Sequence, residues 1–202
     1  MLASLSLSLY IYNLYVKHII HYTSLLNALS ILNSKKIRFS NIRNTNDRLE
    51  GDNYAEERGS TMVFCCSTDP LDSLCWLAYS GRAHGAAIEF VFNDNDDFEC
   101  LFLKNGIIAK PVKYSDDYYE TVSEDLDNMA FIKTSAFEKE HEFRFVLCSD
   151  FDDETKIDVP MNFKKPIKII LYVSKDDESL ANNVYKCFGI PNLEVRLFEV
   201  IQ

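Results

Sequence analysis

The chain has 202 residues, of which 47% are hydrophobic and 26% are charged. These shares are average for folded soluble domains and argue against a disordered chain, a coiled coil and a multi-pass membrane protein. The formal net charge of −10 repels phosphate backbones, so nucleic acid is not the default partner.

We expect one domain spanning residues 1–202, because no repeat, Pro/Gly-rich linker or low-complexity stretch divides the chain. The cysteines lie mostly in apolar runs and lack the paired spacing of a zinc site. They predict buried, reduced thiols, no bound metal and a cytoplasmic location. The opening MLASLSLSLYIYNLYV fits neither a signal peptide nor a membrane span, so we expect no membrane association.

The first third of the chain predicts a strand, a helix, a second strand and a loop. Residues 9–20 favour a strand, and Thr23 and Ser24 offer a cap for a helix that ends near Ser34. IRFS returns to alternation and predicts the second strand. The polar loop Asn41–Asn53 is long enough to be a candidate for function.

The remainder alternates further strands with helices. TMVFCCS predicts a buried strand, residues 70–79 a short helix, and HGAAIEFVF a strand with Ile88, Phe90 and Phe92 in the core. We expect an edge strand at residues 107–114 because of Pro111, and one amphipathic helix at residues 116–137.

The last segments are a strand in EKEHEFRFVLC, a strand in IKIILYVS, a helix closed by Gly189, and a strand in LEVRLFEVI. The order predicts an α+β fold with more strand than helix, in which a mixed or antiparallel sheet has flanking helices.

Two groups of residues in the first half are candidates for ligand binding. His21 lies where a predicted strand meets a helix, and the alternative is a half-buried histidine bonded to the backbone. Trp76 and Tyr79 are one helical turn apart and would share a face, where core packing is the alternative. Arg82 and His84 follow in a Gly-flanked turn that could hold an aromatic or anionic ligand, and an exposed turn without a ligand is the alternative.

Glu140 and Glu142 are candidate catalytic carboxylates. On one strand they would project about 7 Å apart and raise each other's pKa. One could then act as an acid or base, and the other could stabilise a sugar cation. In the alternative interpretation, Arg144 neutralises Glu142 on a solvated face.

The chain resembles a large bacterial domain-of-unknown-function family often found near phage-defence genes. The resemblance covers nearly the whole chain. It is carried by the opening tyrosine/histidine block with SILNSKKIRFSNIRNTNDRLEG, by VFCCSTDPLDSLCWLAYSGRAHGAAIEF, by FEKEHEFRF and by IKIILYVS.

A second resemblance, in HYTSLLNALSILNSKKIRFS, is to the ADP-ribosyltransferase fold of enzymes that modify nucleic acids or remove RNA 2′-phosphates. It implies a split sheet and NAD as substrate. It also implies catalysis by Glu142, with Glu140 as its close substitute. The implied NAD-binding residues are His21 for the ribose, Tyr79 for stacking on nicotinamide, Thr23 and Arg38 as helpers, and the neighbouring Tyr22 and Trp76.

These resemblances predict an effector of antiphage defence or of a toxin system that modifies a protein or RNA acceptor or hydrolyses free NAD. Arg38, Arg43 and Arg48 are the candidate patch for RNA. One alternative is a non-enzymatic module that binds a partner protein or a signal through the loop Asn41–Asn53. Another is a metal-dependent nuclease using Asp47, Glu50 and Glu142, which the ligand spacing does not favour.

Overall fold

The computed structural model describes residues 18–47, 60–69, 73–80, 85–93, 96–149, 155–184 and 188–198. Contacts divide the chain into two compact units. The first unit is drawn from Met1–Leu29, Pro70–Phe98 and Phe163–Gln202, and the second from Ser30–Asp69 and Glu99–Asn162. The single domain spanning residues 1–202 stays a prediction.

The described residues form strands, α-helices and short 3₁₀ helices. The strands are β1 (His18–Ser24), β2 (Lys36–Asn41), β3 (Ser60–Ser67), β4 (Gly85–Val91), β5 (Ile107–Pro111), β6 (Lys113–Ser115), β7 (Ile132–Thr134), β8 (Glu142–Ser149), β9 (Lys156–Pro160), β10 (Lys168–Val173) and β11 (Leu193–Leu197). The α-helices are α1 (Leu25–Ser34), α2 (Ser73–Tyr79), α3 (Tyr118–Glu124) and α4 (Glu178–Val184). The 3₁₀ helices are Ile42–Asn44, Phe98–Leu101, Leu126–Phe131, Ser135–Glu140 and Lys175–Asp177.

In the first unit, four strands pair in the order β11-β10-β4-β1. Strand β4 is antiparallel to β1 and β10, whereas β10 and β11 are parallel. Ile88, Phe90 and Phe92 are buried, which confirms the predicted core positions. On one side of this sheet a cluster includes Tyr22 and Trp76.

In the second unit, five strands pair in the order β5-β8-β3-β2-β9, and each pair is antiparallel. Strands β6 and β7 form a separate parallel pair. Because β8 lies between β3 and β5, its residues 142–147 are all buried. This burial puts Glu142 and Arg144 inside the protein.

The α+β prediction is confirmed, with a mostly antiparallel sheet and more strand than helix among the described residues. Helix α1 begins and ends as expected, and the Ser24 hydroxyl accepts from the Asn27 amide at 3.3 Å. Strand β5, which ends at Pro111, pairs only with β8 within the described part of the chain. It is therefore the predicted edge strand.

The single amphipathic helix expected at residues 116–137 is wrong. That stretch contains α3, a 3₁₀ helix, the short strand β7 and the start of a second 3₁₀ helix. Asn128 has non-helical backbone angles, and its amide donates to the Asp125 carboxylate at 2.9 Å. Asp and Asn side chains that bond locally compete with helix formation, so the helix ends at Glu124.

Other expectations fall partly outside the described residues. The strand predicted at residues 9–20 is described from His18 onward and continues to Ser24. The loop Asn41–Asn53 is described up to Asp47, with a 3₁₀ helix at Ile42–Asn44. The described residues do not include residues 81–84, which contain Arg82 and His84. They also do not include residues 48–53, which contain Arg48 and Glu50.

Candidate functional site

A buried cluster of charges lies in the second unit at the start of β8. The Glu142 carboxylate accepts from Arg144 Nε at 2.7 Å and from Arg144 Nη2 at 3.0 Å. It also accepts from Lys133 Nζ of β7 at 3.2 Å. The exposed fractions of the Glu142, Arg144 and Lys133 side chains are only 5%, 0% and 2%. Two cations therefore hold one carboxylate in place away from water.

The charge state of Glu142 follows from these neighbours. Burial by itself raises the pKa of Glu142, but the charges of Arg144 and Lys133 and the hydrogen bond from Arg144 lower it from 4.5 to about 2. The expectation that the paired acids raise each other's pKa is wrong for Glu142, because the two cations outweigh the effect of burial on its pKa. Glu142 is ionised at neutral pH.

Lys133 is charged as well. Burial lowers its pKa, but the Glu142 and Glu140 carboxylates raise it further, so that the pKa lies above its ordinary value. The ammonium donates to Glu140 Oε2 at 2.7 Å and lies 4.3 Å from the centre of the Phe137 ring. Lys133 had no sequence signal as a site residue, since it fell in the predicted amphipathic helix.

Glu140 does not lie on a strand with Glu142, which corrects the prediction that both project from one strand face. It ends the 3₁₀ helix Ser135–Glu140, and the following His141 has a left-handed φ of 41°. The His141 carbonyl accepts from the Thr68 amide at 3.0 Å, and its ring contacts the Asp69 carboxylate. The reversed backbone brings both carboxylates to Lys133, and the Glu140 side chain is 18% exposed.

The polar loop reaches the same cluster. Asn46 Oδ1 accepts from Lys133 Nζ at 3.0 Å, and Asn46 Nδ2 donates to Glu140 Oε1 at 3.2 Å. Asp47 is buried, and one of its oxygens accepts from the Thr134 amide and hydroxyl, both at 3.3 Å. The density of Asn and Asp in this loop was the only sequence signal for these contacts.

Two further side chains face Glu142. The Tyr114 hydroxyl accepts from the Glu142 amide at 2.8 Å, and burial raises the pKa of Tyr114 well above its ordinary value. Burial also raises the pKa of the Cys65 thiol well above its ordinary value, and the Glu142 carboxylate raises it further. Cys65 is therefore a neutral thiol that donates a hydrogen bond to the Glu142 carboxylate. A thiolate nucleophile is disfavoured at this position.

The residues that the resemblance assigned to NAD are divided between the units. Strand β1 of the first unit carries His21, Tyr22 and Thr23, of which Tyr22 and Thr23 are buried. On α2, Trp76 is buried and stacks on Phe198 with ring centroids 3.9 Å apart.

Tyr79, also on α2, is 39% exposed. The arrangement gives Trp76 a packing role in the core, the alternative that the sequence left open. The NAD-binding roles of these first-unit residues stay predictions.

Arg38 lies on the exposed face of β2 in the second unit. Its guanidinium donates to the Asp158 carboxylate of β9 at 2.9 Å. The hydrogen bond and charge of Asp158 raise the pKa of Arg38 above its ordinary value. Arg38 thus forms a surface ion pair with Asp158 of β9. Its role toward NAD or RNA stays a prediction.

Within the described ranges, no group of three or more His, Cys, Asp or Glu side chains could hold a metal ion. No helix in the same ranges has the length and apolar character required to cross a membrane.

No protein-family model and no curated protein matches the sequence. Two solved structures are similar to the chain, each covering 90% of it at 11% identity. One is Thermus sp. 2.9 DarT in complex with NAD+, of which 96% is covered at a TM-score of 0.45. The other is Thermus sp. 2.9 DarT in complex with ADP-ribosylated ssDNA, of which 94% is covered at a TM-score of 0.44. Similarity at this level assigns no function, so function has to be inferred from the side chains of this chain.

Proposed function

We propose that this chain is an ADP-ribosyltransferase-like effector that uses NAD to modify a macromolecule or hydrolyses NAD. The observation that carries the proposal is the Glu142 carboxylate, which is ionised, 5% exposed and fixed by Arg144 and Lys133. A preorganised anion away from water stabilises a developing positive charge more than a solvated one does. The sequence resemblance supplies the substrate, NAD.

The reaction class fits a pair of carboxylates. The bond between the ribose and the nicotinamide nitrogen breaks, the bonding electrons leave with neutral nicotinamide, and an oxocarbenium-like sugar cation forms. The ionised Glu142 would stabilise that cation. The more exposed Glu140 would accept the proton of the attacking water or acceptor group.

The setting follows from the sequence. The resemblance favours an effector of an antiphage defence or toxin system, and the apolar surroundings of the cysteines favour a cytoplasmic location. The acceptor would be a protein, an RNA held by a local basic patch, or water in the case of free NAD. The net charge of −10 disfavours unaided binding to DNA.

The test is titration calorimetry with NAD, combined with chromatography of released nicotinamide, on wild type, Glu142→Gln and Glu140→Gln. We expect all three to bind NAD and only the wild type to release nicotinamide at the full rate. Glu138→Gln is the matched control, because Glu138 is exposed on the same 3₁₀ helix. Its rate should equal that of the wild type.

Glu142→Gln removes the carboxylate that Arg144 binds in the interior, so the fold of this variant has to be checked by circular dichroism. Glu140→Gln is the cleaner variant because Glu140 is less buried. A folded wild type that neither binds NAD nor releases nicotinamide would contradict the proposal.

A second candidate is a non-enzymatic module that binds a partner or a signal in such a system. It is favoured by the occupation of both Glu142 oxygens by buried cations, an arrangement that can serve the fold alone. In that case Glu140→Gln keeps function, whereas changes at Asn46 or Asp47 abolish partner binding. The enzyme proposal expects loss of nicotinamide release in Glu140→Gln.

A further inference from the structure

The Asn46 amide contacts both charged groups beside Glu142. Its Oδ1 accepts from Lys133 Nζ at 3.0 Å and its Nδ2 donates to Glu140 Oε1 at 3.2 Å. Lys133 in turn donates to Glu140 Oε2 at 2.7 Å. The three side chains thus form a closed triangle of hydrogen bonds. An amide suits this place because it offers one acceptor and one donor at the same time.

The next residue, Asp47, fixes the position of Asn46. The Asp47 carboxylate accepts from the amide and the hydroxyl of Thr134, both at 3.3 Å. Two consecutive loop side chains, Asn46 and Asp47, therefore bind two consecutive residues of β7, Lys133 and Thr134. Asp47 is buried whereas Asn46 is exposed, so the anchor lies inside the second unit and the Asn46 amide lies at its surface.

We propose that Asn46 is a positioning residue that fixes the Glu140 carboxylate against Lys133, with Asp47 as its anchor. Its importance for the reaction rests on the proposed function, in which Glu140 accepts a proton. The described part of the polar loop then belongs to the carboxylate site and is not a separate recognition surface.

Asn46→Asp tests the donor without changing the size of the side chain. It places an acceptor oxygen where Nδ2 donates, and the added negative charge repels Glu140. We expect kcat for nicotinamide release to fall by about 10- to 100-fold, as for a displaced catalytic group, and the KM for NAD to change by less than about threefold. Asn46→Ala adds no charge and should also lower kcat. It replaces Asn46→Asp as the test variant if Asn46→Asp does not fold.

The matched control is Asn44→Asp, which makes the same chemical change two residues away on an exposed position. Its kcat and KM should equal those of the wild type. A fall in kcat common to Asn46→Asp and Asn44→Asp would come from net charge and would overturn the inference.

A second readout does not depend on activity. The Lys133 ammonium is 2% exposed and has three acceptors, so its protons should exchange slowly enough for a lysine ammonium NMR signal. Loss of that signal in Lys133→Arg assigns it. We expect the signal to shift in Asn46→Asp and Asn46→Ala and to stay in place in Asn44→Asp.

The outcomes separate the two claims. An unmoved Lys133 signal in folded Asn46 variants overturns the positioning role, as does a kcat within about twofold of wild type. A shifted signal together with a wild type that releases no nicotinamide supports the contact between Asn46 and Lys133 and contradicts the proposed function.

Discussion

The strongest thermodynamic prediction concerns the change Glu142→Gln. The folded-state pKa of Glu142 is about 2 against an ordinary value of 4.5, which corresponds to about 3 kcal/mol at about 1.4 kcal/mol per pKa unit. Because the folded-state pKa is the lower one, this stability is present above pH 4.5 and is lost as the pH falls toward 2. About 2 kcal/mol of it is lost by pH 3.

The assay is urea unfolding of wild type and Glu142→Gln at a series of pH values from 7 to 3. At pH 7 the variant should be less stable by about 3 kcal/mol, since it leaves Arg144 buried without its anion and leaves Lys133 with Glu140 as its only carboxylate partner in this cluster. At pH 3 the difference should narrow by about 2 kcal/mol, because the wild type has by then lost most of this contribution. Glu138→Gln, on an exposed side chain, should follow the wild-type curve throughout.

A stability difference that stays constant between pH 7 and pH 3 would refute this reasoning. It would mean that the ionised Glu142 carboxylate does not stabilise the folded state. A variant as stable as the wild type at pH 7 would show that Arg144 and Lys133 do not need the carboxylate.

Two further changes test the packing around the site and in the first unit. His141→Val should lower the free energy of unfolding by about 1–3 kcal/mol, because a β-branched residue disfavours the left-handed φ of 41°. His141→Gly should lose less free energy of unfolding in the same urea titration. An equal loss in both variants would contradict the backbone explanation. Gly85→Ala should cost about 1–3 kcal/mol by thermal unfolding, because its Cβ would lie 2.8 Å from Ser80 Cβ and 2.9 Å from Trp76 Cζ2. An unchanged Tm would show that Ser80 and Trp76 move aside without a measurable cost.

Local pattern in the sequence determined much of the fold. Strand β10 and the core positions Ile88 and Phe90 follow from apolar runs and alternation, and the Ser24 cap marks the start of α1. These signals depend on neighbours within a few residues, so the chain displays them without its tertiary structure. Glu140 and Glu142 were also named as a candidate pair, but from the incorrect premise that both lie on one strand.

The surroundings of those carboxylates depend on contacts between distant parts of the chain. Lys133 reaches them because β7 pairs with β6 instead of continuing a helix, and that pairing is not a local property. Left-handed His141 takes Glu140 off the strand, and Asn46 arrives from 94 residues away along the chain. The charge state of Glu142 depends on these long-range neighbours and on burial between β3 and β5, because a pKa responds to the groups nearby in space rather than in sequence.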